Sequence, residues 1–198
     1  MSHYFDNDPT VDSDRKTVSV IVAGDAFEFA TDTGVFSHGR LDAGTKILLN
    51  DAPPPAAEGN LLDIGCGAGP IALSLARRSP HARVWAVDVN ERALSLVRDN
   101  AKHLGVTNIT ASRPEDVPAD IEFDTIWSNP PIKVGKDELH SILDLWLPRL
   151  RAGGSAVLVV NKNLGSDSLA AWLERKGWLV RRLGSRRGYR LLEVTSGR

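Results

Sequence analysis

The stretch Asp63-Ile64-Gly65-Cys66-Gly67-Ala68-Gly69-Pro70 decides the fold. It continues the apolar run Asn60-Leu61-Leu62-Asp63-Ile64, which reads as a strand, and it opens onto a helix that begins at Pro70. Proline suits a first helical turn because its missing N–H would have no intrahelical acceptor there. Glycines between strand and helix let the chain take positive φ and bring backbone N–H groups close to a ligand at the helix N-terminus. Downstream, the β-then-α alternation repeats. Strands are expected at Arg83 to Val87, Asn108 to Ala111, Phe123 to Trp127 and Ser155 to Val160. Helices are expected from about Glu91 to Leu104, Asp137 to Leu150 and Ser166 to Lys176. Such alternation specifies a parallel sheet covered by helices on both faces.

Two closing β-like runs, around Trp178 to Leu183 and Tyr189 to Val194, complete the sheet. Upstream, Thr17 to Val22 and Phe27 to Ala30 alternate apolar and polar residues across Ala23-Gly24-Asp25-Ala26 and read as a hairpin. Gly34 to Gly44 leads into a helix from Thr45 to Asp51, which stops at Pro53-Pro54-Pro55. The fold expected is α/β: a Rossmann-like, doubly wound sheet of seven mostly parallel strands with an N-terminal β-hairpin extension. Residues 1–16 lack apolar periodicity and are expected to form a loose arm, pinned by Tyr4 and Phe5. Residues 17–198 form a single domain, of which 17–52 are the extension and 59–198 the core.

With 198 residues and 42% hydrophobic content, the chain can bury one good core. No apolar run approaches the roughly 18 residues of a membrane helix. The polar, acidic start lacks the layout of a secretory signal, so a cytoplasmic protein without membrane attachment is expected. The single cysteine, Cys66, cannot form an internal disulfide. The five histidines show no ligand spacing, and no metal is expected. A formal net charge of −1 argues against a strongly basic nucleic-acid binder, but the charges are unevenly placed. From Arg149 onward there are eleven Lys and Arg against three acids, Asp167, Glu174 and Glu193. Up to Asp51 there are nine acids and four bases. A positive field for a polyanion could arise at one face.

Two features carry chemistry. The first is the glycine loop with Asp88 and Val89, which end the next strand about twenty residues on, where a carboxylate can accept hydrogen bonds from both ribose hydroxyls. Asp63, two positions before the first glycine, suits a cofactor with a cationic amino-acid end better than a dinucleotide pyrophosphate. The spacing Gly65-x-Gly67-x-Gly69 also departs from the G-x-G-x-x-G of nicotinamide binding, and no catalytic Tyr-Lys or His-Asp pair follows it. Cys66 reads as a small filler beside the cofactor, since no histidine is placed to activate it.

The second is Ser128-Asn129-Pro130-Pro131-Ile132 at the end of a strand. Consecutive prolines fix φ, remove two donors and keep Asn129 out of helical geometry, which makes a stiff corner rich in acceptors. The Asn129 carboxamide oxygen and the Pro130 carbonyl can both accept hydrogen bonds from an –NH₂ group. Alkylation of that nitrogen then needs alignment more than a strong base.

The D-x-G-x-G-x-G loop resembles the first motif of class I S-adenosylmethionine-dependent methyltransferases. That likeness implies S-adenosyl-L-methionine as cofactor, with Asp63, Gly65, Cys66 and Gly67 against its methionine part and Asp88 and Val89 at the ribose. It also puts Glu115 or Asp116 at the adenine, with Asn129 adjoining the cofactor. Asn129-Pro130-Pro131-Ile132 is similar to the N-P-P-[FYW] motif of amino-methyltransferases acting on adenine, guanine or glutamine amide nitrogen, with Ile132 in place of the aromatic. Gly34-Val35-Phe36-Ser37, Leu41-Asp42-Ala43-Gly44-Thr45, Lys133-Val134-Gly135-Lys136 and Gly188-Tyr189-Arg190-Leu191-Leu192 extend the likeness. Together they resemble the bacterial ribosomal small-subunit guanine-N2 methyltransferases, in a short single-domain form. In that family the G-V-F-S…L-D-x-G-T segment roofs the site, so Phe36 is expected to stack on the target base. Lys133, Lys136, Arg186 and Arg187 are expected to meet ribosomal RNA. The same motifs leave open methylation of a protein glutamine amide or of adenine N6, and a noncatalytic cofactor-binding subunit is the remote alternative.

Overall fold

A computed structural model describes residues 11–130 and 135–197. It opens on an antiparallel hairpin of β1 (Lys16–Val22) and β2 (Asp25–Thr31). Val18, Val20 and Val22 of β1 and Phe27 and Phe29 of β2 are buried on one face, as the two-residue period of a strand requires. There follow α1 (Ala43–Asp51), β3 (Glu58–Ile64), α2 (Pro70–Arg78), β4 (His81–Val87), α3 (Glu91–His103), β5 (Ile109–Ser112) and β6 (Phe123–Ser128). The chain continues with α4 (Lys136–Trp146), β7 (Leu150–Asn161), α5 (Ser166–Arg175), β8 (Trp178–Arg186) and β9 (Tyr189–Ser196).

Seven of these strands form one sheet in the order β5-β4-β3-β6-β7-β9-β8. The first five in that order run parallel, and β9 is antiparallel to both β7 and β8. Because the chain starts the sheet at its centre with β3, moves outward to β5 and returns to β6, the strand order reverses between β3 and β6. Ligands of open α/β sheets bind at that reversal, beyond the carboxyl ends of the strands. Successive residues of the central strands enter opposite layers. Leu61, Trp127, Val157 and Val159 pack with α1, α2, α3 and the hairpin, whereas Leu62, Ile126, Leu158 and Val160 pack with α4 and α5. The expected α/β sheet, with its hairpin extension and both faces covered, is the fold observed.

Several boundaries differ from the sequence expectation. Helix α1 begins at Ala43 rather than Thr45, because the Asp42 carboxylate accepts the Thr45 N–H and caps the earlier turn. Helix α4 ends at Trp146 rather than Leu150, since Pro148 has no N–H to continue it and sits in a 3₁₀ turn. Strand β7 is longer than Ser155 to Val160, because main-chain pairing with β6 carries it through Gly153-Gly154 across a register irregularity. The arm expected over residues 1–16 is not loose throughout. Lys16 belongs to β1, the Ser13 hydroxyl donates to Asp32 (2.7 Å) and so does the Asp14 N–H (2.7 Å). Tyr4 and Phe5 lie outside the described residues.

Candidate active site

The glycine loop leaves β3 at the reversal point and turns back over the end of β4. Gly65 and Cys66 donate their N–H groups to the Val87 carbonyl at 2.8 and 3.0 Å. Gly69 takes positive φ (88°), and a Cβ there would lie 2.9 Å from Val97 Cγ2, so only glycine lets α3 pack so close. Asp63 lies beneath the loop with no exposed surface. Its Oδ2 accepts the Ala72 N–H at 3.0 Å and so caps α2, whose own N-cap, Gly69, has no side chain to do so. Its Oδ1 is buried and has no partner among the described residues. Burial, opposed by the Ala72 bond and reinforced by the neighbouring Asp88 charge, pushes this carboxyl up to about 8.

Asp88 also lies above the usual carboxylate range, again because of burial, although the N–H groups of Asn90 (3.0 Å) and Gly67 (2.9 Å) hold its charged form. Asp63 and Asp88 are thus two desolvated carboxyls packed against the glycine loop, and neither makes an ion pair among the described residues. That donor set fits a cofactor with ribose hydroxyls and a cationic ammonium. Val89 follows Asp88 directly and is partly exposed. The Cys66 thiol is pushed well above its ordinary value, first by burial and then by Asp88 and Asp63, which makes it a poor nucleophile and fits its reading as a filler.

The Asn129 corner stands at the end of β6, the strand next to β3. The Ser128 hydroxyl donates to the Ile64 carbonyl (2.8 Å) and ties this corner to the strand that feeds the glycine loop. Asn129 is partly exposed and Pro130 is buried. The Asn129 amide nitrogen donates to Asp42 Oδ2 (2.8 Å) and to Thr45 Oγ1 (3.0 Å), so both of its hydrogens are engaged. A carboxylate can only accept, which fixes the carboxamide with its oxygen turned away from α1. Pro131, Ile132 and Lys133 lie outside the described residues.

A roof closes the site from the hairpin side. Asn90, the N-cap of α3, donates from Nδ2 to the Gly34 carbonyl (2.9 Å), and Arg92 donates to the Thr33 carbonyl (3.0 Å). Asn100 in α3 accepts the Ala30 N–H and donates to the carbonyls of Ala30 and Ala68, so one buried side chain joins the hairpin to the glycine loop. Beneath the roof is a small pocket, to which Phe36, Arg40, Asp42, Gly67 and Asn129 all contribute. Phe36 is 41% exposed and lies over Gly67. Arg40, Asp42 and Thr45, all in the lining, belong to the segment expected to roof the site, although that expectation gives them no individual role. An Asp-x-x-Thr pattern before the apolar run Ile47-Leu48-Leu49 signals a helix cap, and that signal was there to be used. The bond from Asp42 to Asn129, 87 residues away, leaves no sequence signal.

The remaining expected residues lie around this centre. Glu115 and Asp116 occupy a 3₁₀ turn after β5, outside the lining of that pocket. The Glu115 carboxylate is bound by Arg113 at 2.6 Å, which holds it below its ordinary range, whereas the Asp116 side chain makes no hydrogen bond among the described residues. Lys136 is exposed at the start of α4. Arg186 pairs with Asp51 (3.2 Å), and Arg187 occupies the tight turn between β8 and β9 with a φ of 48°. That turn lies at the same end of the sheet as Asn129, since Tyr189 is paired with Asn161 at the carboxyl end of β7. Among the described residues no cluster of three or more His, Cys, Asp or Glu could hold a metal, and no helix is long and apolar enough to cross a membrane.

Comparison with known proteins adds independent findings. The family model described as methyltransferase small domain matches residues 26–193. The chain is 34% identical over 195 residues to a Bacillus subtilis protein named uncharacterized protein YbxB, covering 97% of each. It is 34% identical over 191 residues to the ribosomal RNA small subunit methyltransferase C of Ectopseudomonas mendocina, covering 92% of this chain and 55% of that one. Among solved structures, the T. thermophilus 16S rRNA N2 methyltransferase RsmC, in complex with AdoMet and guanosine, superposes with a TM-score of 0.82 at 26% identity. That match covers 95% of this chain and 52% of the other, so the chain spans about half the length of both named enzymes. A precorrin-6y methyltransferase of Geobacter metallireducens, at 19% identity and a TM-score of 0.64, shares the fold.

Proposed function

We propose that this chain, which belongs to the methyltransferase small domain family, methylates the exocyclic N2 of a guanine in small-subunit ribosomal RNA with S-adenosylmethionine as donor. When bound, the cofactor supplies an electrophilic methyl group on a positively charged sulfur. The glycine loop, with Asp63 beneath it, would hold the cofactor's amino-acid end, and Asp88, beside Val89, would accept from the ribose hydroxyls. Glu115 or Asp116 would accept from the adenine amino group, with one Glu115 oxygen already bound by Arg113.

The observation that carries the reading is the Asn129 carboxamide, held by both amide hydrogens at the wall of the pocket that the glycine loop also lines, which leaves its oxygen to accept from a substrate. Asn129 Oδ1 and the Pro130 carbonyl accept the two N–H bonds of the guanine amino group and aim its lone pair along the line of displacement. This corner acts by alignment, and no residue need serve as a strong base, since the nitrogen becomes acidic as the new bond forms. Phe36 offers a stacking face to a base swung out of its helix, which is how a buried active site reaches an amino group otherwise engaged in pairing. Pro131 and Ile132 are the next residues of the same motif, and Lys133, Lys136, Arg186 and Arg187 meet phosphates.

The fit to the T. thermophilus enzyme, solved with guanosine, favours guanine over adenine or glutamine amide. Purified protein given methyl-tritiated cofactor and a mixed pool of ribosomal subunits, tRNA and protein should label small-subunit RNA and yield N2-methylguanine on nuclease digestion. Labelled glutamine, or adenine alone, would overturn the substrate and leave amino-methyl transfer standing.

A further inference from the structure

We infer that Asp42 and Thr45 are positioning residues, which lock Asn129 in the one amide orientation that turns its oxygen toward the acceptor nitrogen. The inference rests on the reading that Asn129 receives the substrate amino group. A carboxamide has two ends of nearly equal size and opposite polarity, and rotation by half a turn about its last bond exchanges acceptor for donor. An Asn presenting –NH₂ to a guanine amino group would repel it. Something must therefore select the orientation before substrate arrives.

The first turn of α1 makes that selection. Asp42 Oδ2 stands 2.8 Å from the Asn129 amide nitrogen and Thr45 Oγ1 stands 3.0 Å from it. In the reversed orientation the Asn129 oxygen would face a carboxylate at that same short distance, in a partly desolvated site where like polarity is strongly unfavourable. Thr45 is only 4% exposed, so its hydroxyl has little water to compete with this bond. Asp42 Oδ2 also accepts the Thr45 N–H (3.1 Å), so one oxygen caps the helix and holds the amide together. The platform itself is fixed: a Cβ on Gly44 would lie 2.9 Å from Tyr189 Cε1, so the ring of β9 packs directly on this turn. A charged acceptor at the –NH₂ end further draws electron density onto Oδ1, which strengthens the bond it makes to substrate. Capping alone would be served by serine, whose hydroxyl stands one bond nearer the backbone than the Asp42 carboxylate oxygens.

Asp42→Ser separates the two roles, because it keeps a cap oxygen and removes the hold on Asn129. We expect its kcat to fall by about 10- to 100-fold, the scale of a small misplacement at a reacting centre. Cofactor affinity and Tm should stay close to wild type. Asp42→Ser added to Asn129→Ala should cost nothing further, Thr45→Val should behave like Asp42→Ser, and Thr45→Ser should recover most of the Thr45→Val loss. A readout independent of substrate is the side-chain amide pair of Asn129 in a ¹⁵N correlation spectrum, identified by its disappearance in Asn129→Ala. Its hydrogens should exchange with water at least about tenfold faster in Asp42→Ser, since a bonded amide exchanges only after the bond opens. Unchanged exchange, or the same fractional rate loss with and without Asn129, overturns the inference. A crippled Asn129→Ala beside a fully active Asp42→Ser overturns the positioning role alone. Wild-type turnover in Asn129→Ala overturns both this inference and the reading beneath it.

Discussion

Asp63 is fully buried with its carboxyl pushed up to about 8, so the ligand-free protein holds it largely protonated at neutral pH. A cationic ammonium docked against Oδ1 would lower that value, and the complex would bind fewer protons than the free protein. Affinity for S-adenosylmethionine should therefore rise between about pH 6 and pH 7.5, by up to tenfold per unit, the limit for one proton released. Calorimetry in buffers of different ionisation enthalpy measures the proton count directly. Asp63→Asn should bind weakly with no such slope, and affinity that falls with pH would remove Asp63 from the cofactor site. For the ligand-free fold the sign reverses. An acid whose folded value is raised stabilises the fold least when ionised, so this group's contribution declines as pH climbs from about 4 through about 8, which thermal melts of wild type and Asp63→Asn would compare. At the other end of the pocket, Asn129→Ala should leave cofactor Kd near wild type and lower kcat by roughly two to three orders of magnitude, the scale for losing one positioned polar group. Wild-type turnover there would return the Asn-Pro-Pro corner to a purely structural part. Both residues stood out in the sequence. What did not is that Asp63 gives one oxygen to Ala72, because that bond depends on how the loop folds back over the strand.

Between elements, the weight falls on buried polar ties. Asn100 satisfies the Ala30 N–H and the carbonyls of Ala30 and Ala68, which join β2 and the glycine loop to α3. Asn100→Ala would leave buried main-chain groups without partners, and we expect a loss of about 1–3 kcal/mol in unfolding free energy. Hydrogen exchange should show the loss concentrated in the hairpin, with faster exchange at Ala30. An even loss across the sheet would argue that Asn100 merely fills space. Elements with a strong apolar period were legible in the sequence: the hairpin, β3 to β6 and the helices that cover them all fall near their expected places. Ends set by main-chain partners were not. The early start of α1 and the long reach of β7 depend on Asp42 and on β6, neither of which alters the apolar pattern of the segment itself. The antiparallel placement of β9 beside β7 was likewise invisible, since alternation tells which face a residue takes and not which neighbour its strand meets.

Across the whole molecule, the basic surplus of the C-terminal part is less available than its count suggests. Arg181 pairs with Glu193, Arg182 and Arg190 with Asp167, and Arg186 with Asp51. Arg187, Lys136 and Arg40 make no ion pair among the described residues and lie toward the end of the sheet that carries Asn129, so under the proposed function they are the cations best placed to meet a phosphate backbone. Arg187→Glu should raise KM for RNA without changing cofactor Kd, and should make binding less salt-dependent, with the slope of log affinity against log salt smaller by about one. Arg186→Glu should act more weakly on RNA, and loss of its exposed pair with Asp51 should shift stability by no more than about 1 kcal/mol. Equal RNA kinetics in Arg187→Glu and wild type would send the search for the RNA face elsewhere.

The sheet order also has a temporal meaning. β9, the last strand of the chain, lies not at the rim but between β7 and β8, and Tyr189 at its start packs on the turn of α1 that holds Asn129. On a polypeptide emerging from the ribosome, the strands and helices that carry the glycine loop all precede residue 130 and so appear well before Tyr189 does. The glycine loop and the Asn129 corner are thus both encoded before residue 130, whereas the ring that packs on the turn holding Asn129 comes only with the final strand.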